Sequence, residues 1–424
     1  MSPIIILLIN ACAYTIMAYY LYRRSSHLNT GTYVVAWFSF IAWMAIMYYN
    51  HDLYQYLRGK EKFTLTPFIY LFIAIWLFLQ PIIQYDSSKI QKVRLINEKF
   101  LQKYIYIMLV IQLLGLLAIF PTIYKILLTG SSAEFRMESY DNADIIVISN
   151  PILAKMKTLS SSFQTINVIV ASYILLFTSK YLKFKKLFFI TSVLIFPIYM
   201  TILGNRFYIM AQLVWMLFIF IFLRNFIKKK IQKKLFMYFL IALGIALVPF
   251  IIISMGRFGD MIEYQIYRYI GEPFINYNVQ FFYDLKNETW GSAYFTVFRR
   301  WFGFPTEFQT LVEKWAYIDS ITGIDSHVFY TFIGGFNIEF GFLNTLIIGF
   351  LIFILYKKLC KSDTILTLPK FIILCYWGYV CIQGAFLFPL QGTGNIEIIC
   401  VILSYIVFKK YSISKYYVSN NRKS

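Results

Sequence analysis

The sequence predicts an all-α integral membrane protein, a single polytopic domain over residues 1–424 with about eleven helices crossing the bilayer. Three observations predict it. The chain is 59% hydrophobic and only 14% charged, whereas a soluble domain carries roughly a quarter charged residues. Its apolar residues form continuous runs close to the ~20 residues that a helix needs to cross a bilayer core, not the alternating ~10-residue segments of an outer-membrane barrel. Its lysines and arginines sit in short clusters between those runs. Helices satisfy their backbone groups internally, so they are the form such runs take in lipid.

Taken in order, the spans are 3–22, 33–49, 65–83, 104–128, 163–179, 187–203, 207–223, 235–255, 328–356, 371–390 and 392–408. The first, MSPIIILLINACAYTIM, lacks a basic leader region and a small-residue cleavage site, so it reads as a retained span. The connections alternate in charge. Those at 23–24, 89–103, 180–186, 224–234 and 357–361, with the 409–423 tail, are strongly basic. With Lys370, that side holds roughly 26 of the 40 basic residues and about three of the 20 acids. Such a side faces the cytoplasm, which puts the N-terminus outside, the C-terminus inside, and requires an odd number of spans.

The net charge of +20 therefore reflects topology and lipid contact. It is not gathered along one groove, which excludes a nucleic-acid surface. None of the five cysteines falls in a long polar loop, so no disulfide framework is implied. No motif for a metal, nucleotide or serine nucleophile occurs, and no cofactor or metal is expected.

Two outer loops are long. One is 130–158. The other, 256–326 between the eighth and ninth spans, has about 70 residues, far more than a simple connection needs. It is too rich in aromatics to be disordered. Ile262, Ile266, Tyr269 and Ile270 recur at helical spacing, which suggests a helix lying on the membrane surface. Chemistry on a large substrate is expected on this face.

Candidate residues cluster there. Arg206 in GNRFY and Arg257 in MGRFGD each stand at the outer end of a span. Each reads either as a snorkelling anchor or as a headgroup contact. As a pair they suit a diphosphate, because the guanidinium fork binds phosphate oxygens and stays charged. Further along lie Arg268, Glu272, Asn276, Asn278, Arg299 and Arg300, where aromatics mix with amides and a carboxylate, as in sugar sites or in a loop packed on the bundle. His327 opens HVFYTFIGGFNIEFGF and is expected to share a helical face with Tyr330, Thr331 and Gly334. It is a helix-end polar residue or a base for a hydroxyl. Glu339 and Glu397 lie within apolar runs, where a carboxylate is either paired or functional. Asn50, His51 and Asp52 form a weaker acidic candidate.

Three stretches resemble the Wzy-type oligosaccharide repeat-unit polymerases. GNRFY resembles the glycine–arginine element at an outer span junction of that family. RYIGEPFINYN resembles an element early in its large outer loop, and HVFYTFIGGFNIEFGFLNTLIIGF resembles the segment that ends the loop and enters the next span. Here Glu339 replaces the family's usual aspartate, and Asn344 stands where glycine is frequent. The resemblance covers the whole chain in architecture and only these stretches in sequence. It implies a GT-C-like membrane fold in the bacterial cytoplasmic membrane and a metal-independent glycosyl transfer. In that reaction a growing O-antigen or capsular glycan leaves its undecaprenyl diphosphate carrier for the hydroxyl of a new lipid-linked unit. It also implies that Arg206 and Arg257 steady the leaving diphosphate, that His327 or a loop carboxylate orients the acceptor, and that a chain-length regulator is a partner. An O-antigen ligase shares this chemistry. A flippase for the same lipid is the alternative from another class, though its loops are usually short.

Overall fold

The computed structural model describes residues 1–129, 148, 150–179, 181–202, 206–237, 240, 244, 261–360 and 364–418. Helices dominate them, and five are long and apolar enough to cross a membrane, or six if one bent pair is counted. The expectation of eleven is therefore met only in kind. The run 235–255 lies mostly outside the described residues, and several other runs form shorter helices.

Three long helices open the chain: α1 (Pro3–Ser25), α2 (Thr30–Asn50) and, after a short α3 (Asp52–Arg58), α4 (Leu65–Ile83). The α1–α2 turn works because Ser26 takes a left-handed φ of 56° and the Asn29 side chain accepts from Thr32 N at 2.8 Å, so the first orphan donor of α2 is satisfied. Tyr14 and Phe38 lock the pair, with ring centroids 6.1 Å apart. Ile16 and Leu343, 67% and 71% exposed, are among many apolar side chains facing outward, as lipid solvation permits.

Next come α5 (Glu98–Thr129), α6 (Pro151–Ser162), α7 (Gln164–Phe177), α8 (Lys185–Ile202) and α9 (Arg206–Leu223). Pro151 sits at the start of α6, capped by Asn150, so this helix begins inside the loop expected at 130–158. Residues 130–147 lie outside the described residues. α6 and α7 meet at a 59° bend.

A small sheet departs from the all-helical expectation. β1 (Lys92–Ile96) pairs in parallel with β2 (Ile365–Leu366) and antiparallel with β3 (Ser412–Val418). These strands come from three of the basic connections. Others join them. Glu98 accepts from Ser179 N at 2.7 Å, Gln102 accepts from Lys183 N at 2.9 Å, and Asn225 donates to Ser87 O at 3.5 Å. The strands are short, and β1 and β3 carry charges, so no apolar run announces them.

The remaining helices are α10 (Ile262–Asn276), α11 (Thr296–Trp301), α12 (Leu311–Thr322), α13 (Phe332–Leu359), α14 (Leu368–Gln383) and α15 (Thr393–Lys410). α15 begins where Asn395 bonds the 294–297 backbone and ends beside the sheet. Its 18 residues put the two ends of the bundle about 27 Å apart. The basic connections around 87–102, 179–183, 225, 365–366 and 412–418 meet at one of these ends.

One element matches expectation and one departs from it. The helix around 262–276 is present. It packs against α2, where a Cβ on Gly271 would sit 2.6 Å from the Ala45 backbone. Glycine is what permits that approach. Phe274 is thereby carried to Tyr14 of α1, with rings 5.6 Å apart. The span expected at 328–356 starts at Phe332 and is not one straight rod. Gly341 has φ 74° and ψ 176°. Phe78 touches Phe332 and Phe336 on one side of it and Gly349 on the other. A straight helix would set residues 332 and 349 about 25 Å apart, beyond the reach of one phenyl ring. The element is a V folded over α4, with an apolar limb of about 27 Å after Gly341.

Candidate functional site

The connection from 261 to 331 closes one end of the bundle, and its polar side chains gather in two groups. The first is built on α3 and α10. Arg58 Nε lies 2.7 Å from Glu61 Oε1, Arg58 Nη2 donates to Asn276 Oδ1 at 2.9 Å, and Arg58 Nη1 lies 3.7 Å from Glu272 Oε1. Arg268, one turn before Glu272 on α10, approaches the same oxygen at 3.2 Å. Glu272 is only 3% exposed, and two guanidiniums compensate its charge. Burial works against the charged form of Arg58, and the Glu61 carboxylate more than offsets it, holding the guanidinium above its ordinary range.

Past Asn276 the helix widens into a π turn over Tyr277–Phe281, a form frequent at functional sites. The turn brings Asn278 to Thr64, whose N–H it accepts at 3.1 Å and whose carbonyl receives its amide at 2.8 Å. Asn278 thus tethers the turn to the start of α4. Tyr277 OH accepts from Asn337 at 2.7 Å, and Asn337 in turn accepts from Tyr70 OH at 3.0 Å.

The second group surrounds the tip of the V. Glu339 is fully buried, and its carboxylate accepts from Thr289 Oγ1 at 2.6 Å, Gly291 N at 2.5 Å and Tyr294 N. The carbonyls of Ile338 and Glu339, beside the break at Gly341, accept from Thr289 N and Trp290 N, both at 2.9 Å. A broken helix leaves such groups without partners, and segment 289–294 supplies them. Lys314 of α12 donates to Gln391 Oε1 at 2.5 Å, and its ammonium lies 4.3 Å from the Tyr294 ring centroid. The side chain is only part-buried by surface, but its charged end lies deep. Loss of hydration pushes the amine down to about 7, with Glu339 pulling the other way.

Tyr330 stands between the groups, within electrostatic reach of Glu272 and of Tyr294. Its ring lies 4.8 Å from that of Phe281 and its hydroxyl donates to Asp325 O. Burial raises its phenol well above the ordinary range.

The expected residues are placed unevenly. Arg268, Glu272, Asn276, Asn278 and Tyr330 come together, and Glu339 lies at the neighbouring tip. His327 is not on a helix, because α13 begins five residues later, so it shares no helical face with Tyr330, Thr331 and Gly334. It is 59% exposed, 2.7 Å from Asp325 Oδ1, and its ring lies tilted 4.4 Å from that of Trp315. Arg299 and Arg300 are on α11, and Arg299 lies over Phe304 at 5.2 Å. Arg206 opens α9 with its side chain outside the description, and Arg257 lies outside the described residues. His51 caps α3 by accepting from Leu53 N at 3.2 Å. Glu397 is buried within α15, 3.5 Å from Thr165 Oγ1 just past the α6–α7 bend. Among the described residues no cluster of three His, Cys, Asp or Glu could hold a metal ion.

Sequence reasoning missed Arg58 and Lys314. The signal for Arg58 was its Glu61 partner three residues on, in a short aromatic loop, YQYLRGKEK. Lys314 had no such signal, because Tyr294 and Gln391 are remote in sequence.

The class that fold and site define is a helical membrane protein with an ordered polar site at one end of its bundle. No family model, curated protein or solved structure matches the chain.

Proposed function

We propose that this protein polymerises undecaprenyl-diphosphate-linked oligosaccharide units into O-antigen or capsular polysaccharide at the outer face of the bacterial cytoplasmic membrane. The observation that carries this reading is that two stretches resembling the Wzy-type polymerases, far apart in sequence, lie against each other. Asn276 donates to Phe329 O at 3.3 Å, and Asn337 donates to Tyr277 OH at 2.7 Å. The full proposal has about eleven spans in a GT-C-like arrangement, with the basic end in the cytoplasm. The amides, aromatics and Arg58–Glu272–Arg268 group face the sugar chains. Arg206 and Arg257 stabilise charge developing on the leaving diphosphate. A chain-length regulator is the expected protein partner.

The test is a deletion strain with its surface glycan run on a gel. A ladder that collapses to a single repeat supports polymerisation, and an unchanged ladder refutes it. Arg206→Ala and Arg257→Ala, inserted at normal levels, should each cost about 100-fold or more in polymerisation.

One observation favours a second reading, a flippase for the same lipid. Broken helices lined by polar groups mark transporter sites, and the α6–α7 bend carries buried Ser160, Ser162, Gln164, Thr165 and Asn167. A flippase deletion would strand single units on the inner leaflet, whereas a polymerase deletion leaves them outside.

A further inference from the structure

We propose that the Lys314 amine is the base that accepts the proton of the acceptor sugar hydroxyl, an inference that rests on the polymerase reading. Lys314 is a cation of the large connection whose charged end is drawn inward without a counter-ion. Among the described residues no carboxylate lies within ion-pair distance of it. The charged group facing it is Glu339 of α13, whose two oxygens are already taken by Thr289, Gly291 and Tyr294. The other groups packed on the amine, the Tyr294 ring and the Gln391 amide, bring no charge at neutral pH.

A neutral amine suits these neighbours. One N–H donates to Gln391 Oε1 and a second lies over the ring face. The lone pair stays free to take a proton. Loss of hydration brings the amine to about 7, so much of it is in the basic form where a cell works, as general base catalysis requires.

The step balances. The hydroxyl O–H bond breaks and its proton goes to Nζ. The oxygen pair forms the new bond to the anomeric carbon. The bond from that carbon to the diphosphate oxygen breaks, and its electron pair leaves with the lipid diphosphate. Lysine gains one positive charge and the leaving group one negative charge.

The test uses the full chain in vesicles, with lipid-linked units extracted from the deletion strain as substrate. Lys314→Arg keeps the cation, the ring contact and a donor for Gln391, but a guanidinium cannot release its proton. The parent rate should rise with pH through about 7 and level off. Lys314→Arg should be slower by about 100-fold or more and flat across that range. Lys314→Ala should be restored in part by a small primary amine, in proportion to its free-base concentration. Lys314→Arg with the parent's rate and profile overturns the assignment, as does Lys314→Ala without amine rescue. A parent protein that makes no polymer fails the functional reading instead, so the two failures are distinct.

Discussion

Replacing Gly341 with alanine tests the folded-back helix through the sign of its effect. In an ordinary helix interior, glycine to alanine stabilises by roughly 0.5–1 kcal/mol, because alanine loses less backbone freedom. Gly341 is not ordinary. Its φ of 74° and ψ of 176° fall in a region that only glycine enters freely, and forcing another residue there costs about 1–3 kcal/mol. A Cβ would also press on the Glu288 carboxylate, the end of a flexible side chain that can swing aside. The backbone term therefore dominates, and Gly341→Ala should destabilise by about 1–3 kcal/mol. The assay is unfolding of the detergent-purified protein by titrated SDS, against the parent. Glu288→Ala in the same background removes the contact but not the strain, so it should restore little. A Gly341→Ala protein as stable as the parent, or more so, would mean that residues 332–359 form a continuous helix.

Arg58→Met should cost about 1.5–3 kcal/mol in the same assay, because it strips Asn276 of a charged donor and leaves the buried Glu272 with Arg268 alone. Adding Glu272→Gln should recover part of that loss, and strict additivity would mean that the two residues do not interact. The amine of Lys314 sets a pH dependence of stability. Its value falls from 10.5 to about 7 on folding. Between those values the unfolded chain holds more protons, so stability should rise as pH increases from about 7 to 10.5. The destabilising effect of the buried charge is present in full below that window. Lys314→Gln should remove this part of the slope, and an unchanged slope would place the proton elsewhere.

The residues of the candidate site divide according to how near their partners lie in sequence. Arg268 and Glu272 are one helical turn apart on α10, so their pairing follows from spacing. Asn276 follows on the same face, and its importance could be read from the amide-rich stretch that contains it. Arg58 reaches this group from another part of the chain, and Lys314 of α12 meets Tyr294 and Gln391 only when segments remote in sequence converge. His327 was misread for a related reason. Apolar patterning starts at Val328, but the helix starts at Phe332 because the intervening residues turn inward along Phe281 and Gly384.

Sequence alone determined that this chain is suited to a membrane, that its apolar runs are helical, and that several basic connections belong together. Each follows from a sum over many residues: apolar length against bilayer thickness, backbone satisfaction in lipid, and charge per connection. Tertiary structure decided what depends on single contacts. Gly341 looks like any glycine in an apolar run until the loop donors of 289–294 replace the helix's own and let it fold back. The α10 helix looks amphipathic enough for a surface, yet Gly271 lets it sit against α2. In both cases the deciding partner is distant in sequence, so the pattern of neighbouring residues carries no trace of it.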